Sequence, residues 1–152
     1  GNIDGSRGAK VSWSALCLPK NEGGLGLRRF SEWNKTLCLR LIWLLFNHQG
    51  SLWVSWHSHH HLRSRSFWDV APSPSDPWSW RMLLFLRPLA EQFVKCNLGN
   101  GRIAHFWHDS WTSLGPLIKV MGDYGSRSLR IPLNARVVEA LGVNGWKLPL
   151  SR

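Results

Sequence analysis

A long amphipathic helix is predicted between Glu32 and Asn47. Trp33, Leu37 and Leu41 recur at intervals of four residues, and further apolar residues widen the stripe. Ser31 stands where a residue that caps the start of a helix is expected. Because the apolar stripe is broad, we expect the helix to be buried between at least two neighbours.

Shorter helices are predicted on both sides of a stretch rich in Ser and Pro. One starts at Ser51 and runs to about Leu62, and another covers 78–93, where Pro88 is expected to kink or split it. Gly115-Pro116 precedes a short helix that ends near Gly122. The segment 134–141, closed by Gly142, predicts a last short helix.

After Val94 the pattern changes from helical to extended. Lys95–Leu98 and Arg102–Trp107 flank Gly99-Asn100-Gly101, and Asn-Gly is the strongest short signal for a hairpin turn. We therefore predict a β-hairpin here. The fold class is α+β and mostly helical, with a helical segment at 1–65, a linker at 66–77, and a helix, the hairpin and a short C-terminal helix at 78–152.

The composition is rich in tryptophan, and the longest apolar stretch is too short to span a membrane. The chain of 152 residues is 43% hydrophobic and has 11 tryptophans, most of which we expect to be core anchors. The apolar stretch from Leu37 to Phe46 carries Arg40 and is far shorter than the about 20 residues that a membrane span needs. It predicts a core helix, and no membrane partner is expected.

The charge balance indicates a polyanionic partner. Nineteen Lys and Arg against nine Asp and Glu give a net charge of +10, although a basic protein without a dedicated partner remains the alternative. The cations are spread along the chain, which favours contact with a nucleic-acid backbone over readout of bases. The predicted phosphate contacts are Lys20, Arg28, Arg29, Arg63, Arg65, Arg81 and Arg102.

The cysteines indicate a reducing compartment. Cys17, Cys38 and Cys96 are odd in number and have no CxxC spacing, so we expect reduced, half-buried thiols. The protein is therefore expected inside the cell, in either the nucleus or the cytoplasm.

Two polar clusters invite chemistry, and each has a plainer interpretation. His57 and His61 are spaced to share a metal ion on a helix, but no third ligand has a recognisable spacing, and a solvated polar face is favoured. His105, His108 and Asp109 could serve a hydrolase, yet a structural role for Asp109 in a turn is favoured. No metal, cofactor or catalytic residue is predicted.

An ordered series of motifs runs along the chain from about residue 10 to residue 152. Its residues are Trp13, Cys17, Pro19, Lys20, Gly23, Gly24, Gly26, Trp33, Asn34, Trp53, Trp68, Trp80, Gly99, Asn100, Gly101, Trp107, Asp109 and Trp111. In this order the motifs resemble the reverse transcriptases of plant non-LTR (LINE-type) retrotransposons, in the segment between the palm and the C-terminal zinc-binding domain. Gly23-Gly24-Leu25-Gly26 belongs to the series and is not a phosphate-binding loop.

The resemblance implies a thumb-like helical N-terminal half and a role beside a polymerase. In that family the catalytic aspartates lie in a palm motif upstream, and this chain has no Asp-Asp pair. What the resemblance implies is a non-catalytic accessory segment that binds RNA or DNA, as a template–product duplex, together with the remaining polymerase domains. The alternative is a structural or protein-interaction remnant of a retroelement, with no activity of its own.

Overall fold

A computed structural model describes residues 11–47, 50–142 and 145–147 of the chain. Short helices and turns predominate in this part of the chain, which also contains one long helix, Phe30–Asn47. The α-helices are α1 Trp13–Leu16, α2 Phe30–Asn47, α3 Leu52–His57, α4 Trp78–Phe85, α5 Arg87–Ala90 and α6 Leu117–Leu129. A π-helix at Ser58–Leu62, 3₁₀ helices at Lys20–Glu22 and Val137–Ala140, and strands β1 Leu141–Gly142 and β2 Gly145–Trp146 complete the described elements.

Helix α2 is confirmed, but its start and its buried face differ from the prediction. The helix begins at Phe30, so Ser31 lies inside it and the prediction that Ser31 is its cap is wrong. Its buried residues are Cys38, Ile42 and Leu45, at successive turns of one face. The first eight of the eighteen residues of α2 therefore extend beyond the core, and only the rest of the helix is packed.

The predicted helix from Ser51 to Leu62 is confirmed, with a change of pitch. Residues Leu52–His57 are α-helical, and Ser58–Leu62 continue as a π-helix. The π-helix ends where Arg63 and Ser64 both adopt positive φ, at 45° and 68°. Such a conformation is costly for residues with a side chain, so the surrounding contacts must hold this turn.

Pro88 splits the next predicted helix as expected. Helix α4 ends at Phe85, and α5 starts at Arg87 with Pro88 in its first turn, where a missing N–H is tolerated. Helix α6 starts at Leu117 as predicted, but it resumes after a kink at Gly122 and extends to Leu129.

The first core cluster lies where α2 packs against α4. Ile42 and Trp80 are its most enclosed residues, both at 0% exposure, and Phe67 is nearly as enclosed at 2%. Phe67 belongs to the range predicted as a linker, so part of that range is a packed segment. The remaining members are Cys38, Leu45, Leu83, Leu84, Leu86 and Ala90. The division at 1–65, 66–77 and 78–152 stays a prediction.

The second core cluster surrounds Trp107. The indole is fully buried, and its Nε1 donates a hydrogen bond to the carbonyl of Ile131 at 3.1 Å. Gly125 of α6 lies directly against the ring, since a Cβ there would stand 2.8 Å from an indole carbon. The other members of the cluster are Ala104, Phe106, Ile131, Ala135, Val137 and Ala140.

The predicted β-hairpin at 95–107 is wrong. In the structure this segment pairs with residues distant in the chain: the N–H groups of Val137 and Val138 donate to the carbonyls of Ala104 and Gly101. Asn100 turns the chain as predicted, with its Oδ1 accepting from the Arg102 N–H at 3.1 Å. The prediction of a turn at Asn100 is thus confirmed, and the prediction that the two flanking segments pair with each other is wrong.

Strand pairing within the described residues occurs near the C-terminus. β1 and β2 are antiparallel, with Leu141 opposite Trp146 and Gly142 opposite Gly145. The short helix predicted at 134–141 is a single 3₁₀ turn, Val137–Ala140. The mostly helical α+β class is confirmed. Residues 148–152, to which the resemblance extends, lie outside the described residues.

The expectation that most tryptophans anchor the core is wrong. Six of the eleven are exposed: Trp13, Trp33, Trp43, Trp56, Trp78 and Trp146. Trp80 and Trp107 alone are fully buried. Among the described residues, no helix combines the length and the apolar character that crossing a bilayer requires.

Candidate nucleic-acid interface

The N-terminal arm, defined here as residues 11–37, has no buried residue. Its loop is nevertheless ordered by the backbone, because the N–H groups of Leu25 and Gly26 donate to the carbonyls of Leu16 and Leu18 at 2.9 and 2.8 Å. Gly24 permits this return, since a Cβ at that position would stand 2.0 Å from the Leu18 carbonyl oxygen. The arm is therefore a defined surface that contributes little to the core.

Aromatic rings and guanidinium groups are interleaved on the arm. Trp13 and Phe30 stack with ring centroids 5.3 Å apart and nearly parallel planes, and Phe30 is 75% exposed. The guanidinium of Arg28 lies 4.2 Å from the centre of the Trp33 ring. Exposed cations beside exposed flat rings are the side-chain chemistry that contacts both the phosphates and the bases of a nucleic acid.

Arg28 and Arg29 line one shallow cleft together with Trp33 and Glu32. Glu32 offsets part of the charge there, and it also pairs with Lys35 at 3.3 Å on the exposed face of α2. Lys20, another predicted contact, lies in the 3₁₀ helix of the same arm and is exposed.

A second group of cations surrounds the turn at 63–65. Nε2 of His105 lies 3.2 Å from the Ser64 carbonyl, and an Nη1 of Arg136 lies 3.2 Å from the His105 Nδ1. One tautomer satisfies both contacts, with Nε2 donating and Nδ1 accepting. Arg63 and Arg65 extend from a turn that these contacts hold in place.

The predicted phosphate contacts are all exposed, but they lie on several separate parts of the surface. Arg63 lines a cleft with His59 and His60, and Arg65 lines another with Arg136. Arg81 lies on α4, and Arg102 follows the Asn100 turn. The arm holds three of the seven predicted cations, Lys20, Arg28 and Arg29.

The histidine cluster of α3 is packed, so the prediction of a solvated polar face is wrong for His57. His57 is 5% exposed and stacks on Trp80 at 4.8 Å, and His61 stacks on the same indole at 4.5 Å. His61 Nδ1 also lies 3.4 Å from a carboxylate oxygen of Asp76. Burial, reinforced by His61, lowers the pKa of His57 to about 4, so His57 is neutral near pH 7. The described residues contain no group of three or more His, Cys, Asp or Glu placed to hold a metal ion.

Asp109 has the structural role that the sequence favours. One carboxylate oxygen accepts from the His105 N–H at 2.8 Å, and the other accepts from the Ser66 hydroxyl at 3.4 Å. His108 is buried beside this turn, and burial lowers its pKa. Asp109 thus ties the 105–109 turn to Ser66, which directly follows the turn at 63–65.

A cleft between the C-terminal half of α2 and the loop 93–101 was not predicted. It measures about 600 Å³, and we call it the α2–loop cleft. Trp43 and Phe46 form part of one wall, and the family-motif residues Gly99-Asn100-Gly101 form part of the other. The sequence pattern indicates a turn at Asn100-Gly101, but it does not indicate that aromatic residues of α2 face this loop.

The chain is similar to a protein of Arabidopsis thaliana named "Putative ribonuclease H protein". The two are 34% identical over 120 residues, which cover 77% of this chain and 19% of the relative. The chain therefore spans about a fifth of that protein's length. No protein-family profile matches the chain, and no solved structure matches it.

Proposed function

We propose that this chain is a nucleic-acid-binding segment of a retroelement-type plant protein. More specifically, it is an accessory segment of a retrotransposon RNA-directed DNA polymerase that holds a template–product duplex by its backbone. The observation that carries the proposal is the exposed arm, where Arg28 covers Trp33 and Trp13 stacks on Phe30. The name of the Arabidopsis relative, which concerns nucleic acids, supports the same class of function.

The arm binds through counterion release and ring contacts. Each phosphate that Lys20, Arg28 or Arg29 neutralises releases condensed cations, which favours binding at low salt without regard to sequence. The exposed rings of Phe30 and Trp33 contact sugars or bases where the duplex ends or opens. Backbone hydrogen bonds order the loop between Leu16 and Gly26, and Arg28, Arg29 and Trp33 line one cleft just beyond it.

The proposal assigns no reaction to this chain. We propose no catalytic residue and no cofactor for it, and we assign polymerisation to the remaining domains of the polymerase, which are its proposed protein partners. The site of action is inside the cell.

The test is the salt dependence of binding to an RNA–DNA hybrid, measured by fluorescence anisotropy. Arg28→Gln with Arg29→Gln is expected to reduce the slope of log affinity against log salt by about 2. The matched control is Lys119→Gln with Arg127→Gln, which removes the same charge from exposed positions on α6. This control is expected to change the slope far less.

Two results would contradict the proposal. The first is no binding of the hybrid even at low salt, which would favour a structural or protein-interaction role. The second is equal loss in the arm variant and in its α6 control, which would show that only the total charge matters.

A further inference from the structure

We propose that the α2–loop cleft binds one unpaired nucleotide, with its base against Trp43. This inference rests on the proposed function, because it names a second contact by which the same nucleic acid is held. It also differs from that function, because it predicts recognition of a base rather than of the phosphate backbone.

The α2 wall of the cleft is aromatic and open. Trp43 is 53% exposed, and among the described residues its ring has no aromatic stacking partner. Phe46 and Trp68, which also line the cleft, stack on each other at 5.2 Å with planes 18° apart and so form a fixed surface. A flat, unoccupied indole beside a rigid pair of rings suits a flat heterocycle, since stacking depends on planar contact.

The loop wall supplies polar groups that match the edge of a base. The side-chain amide of Asn97 has no hydrogen-bond partner among the described residues, and amides donate and accept at once. Asn100 uses its Oδ1 to accept from the Arg102 N–H, which leaves its Nδ2 free to donate. The loop is anchored behind the cleft, because the Gly101 carbonyl accepts from Val138 and the Cys96 N–H donates to Ser110.

Charge favours a nucleotide over an acidic or a purely apolar ligand. Lys95 lines the cleft and is exposed, so it stands ready for the phosphate of the bound nucleotide. Asp109 also lines it, but both of its oxygens already accept hydrogen bonds, from His105 and Ser66. The volume of about 600 Å³ falls within the ordinary range for sites that hold small ligands.

The test compares two short single-stranded oligonucleotides that differ at one position. One carries the fluorescent base 2-aminopurine, and the other carries an abasic sugar at the same place. The wild-type chain is expected to bind the base-containing strand about tenfold more tightly and to change its fluorescence on binding. Equal affinity for both strands would overturn the inference.

Variants locate the effect in the cleft. Trp43→Ala is expected to abolish the difference between the two strands, because it removes the stacking surface. The matched control is Trp78→Ala, which removes a tryptophan that is 62% exposed at the start of α4. A difference that survives Trp43→Ala, or that Trp78→Ala abolishes equally, would overturn the inference. Asn97→Ala should weaken binding of the base-containing strand about threefold and spare the abasic strand.

The same samples separate failure of this inference from failure of the proposed function. A chain that binds the RNA–DNA hybrid but does not distinguish the two single strands contradicts the cleft alone. A chain that binds neither the hybrid nor either strand at low salt contradicts both. Competition of the base-containing strand by AMP, but not by ribose 5-phosphate, would support base recognition.

Discussion

The arm at residues 11–37 and the packed body, by which we mean the described residues after 37, both contain tryptophans, but in different environments. In the arm, Trp13 and Trp33 are 46% and 43% exposed, whereas Trp80 and Trp107 in the body are fully buried. The difference depends on whether a second structural element packs over the side chain. A tryptophan is buried only where a second element covers it, as His57 of α3 and His61 of the π-helix do for Trp80 and α6 does for Trp107, and the described residues place no such element over the arm. Substitutions in the two regions should therefore affect different properties.

The largest contrast is expected between Trp107→Ala and Trp33→Ala. Trp107→Ala leaves a cavity against Gly125 and removes the donor to the Ile131 carbonyl, so it should lower the free energy of unfolding by about 3–5 kcal/mol. Trp33→Ala should cost well under about 1 kcal/mol. Urea denaturation followed by circular dichroism measures both. Similar losses in the two variants would remove the distinction between arm and body.

A dependence on acid pH is expected from the body. His57 has an unfolded pKa of 6.5 and a folded pKa of about 4, because burial and His61 disfavour its charged form. As the pH falls, the unfolded chain therefore binds a proton at His57 before the folded chain does. The contribution of neutral His57 to the free energy of unfolding is complete above pH 6.5 and decreases as the pH falls towards 4. The free energy of unfolding should fall by at most about 3.5 kcal/mol from this group.

The variant His57→Phe isolates this contribution in denaturation curves recorded from pH 7 to pH 4. It should be less sensitive to pH than the wild type, while the effect of the buried His108, whose pKa burial also lowers, persists in both chains. Identical pH dependence in the two chains would show that His57 does not titrate as its burial implies.

A smaller effect is expected where a glycine meets the core. Gly125→Ala places a Cβ 2.8 Å from the Trp107 ring, and the fixed indole should make this cost about 1–3 kcal/mol. Gly99→Ala is the control, because a Cβ there meets nothing within 4 Å. Thermal denaturation of the pair should show a lower melting temperature for Gly125→Ala only.

The smallest expected effect concerns an ion pair on the surface of the body. Lys119 on α6 lies 2.6 Å from Glu91, and the lysine is largely exposed, so Lys119→Gln should cost about 0.2–1 kcal/mol. The loss should shrink as salt is added, as measured by denaturation at two salt concentrations. This small cost is also what makes Lys119 suitable as a charge control for the arm.

Local patterns in the sequence predicted what local chemistry determines. The interruption at Pro88 follows from the missing N–H, and the start of α6 follows from Gly115-Pro116. The Asn100 turn was also predicted, because its side chain bonds to the backbone two residues on.

Features that depend on distant partners could not be predicted in the same way. The segment 101–104 pairs with 137–138, and no period in the sequence indicates which distant segment will pair with it. The local sequence does not indicate that Trp33 is exposed and Trp80 is buried. That outcome depends on which distant element covers each side chain. The α2–loop cleft escaped prediction because α2 and the loop 93–101 are separate in the chain.

Photochemical cross-linking of an RNA–DNA hybrid to the intact chain, with the linked peptides identified by mass spectrometry, tests the central claim most directly. The account predicts that linked residues concentrate within 13–37, around Phe30 and Trp33, and that Arg28→Gln with Arg29→Gln reduces them. Links confined to α6, or a map unchanged by the double substitution, would contradict it.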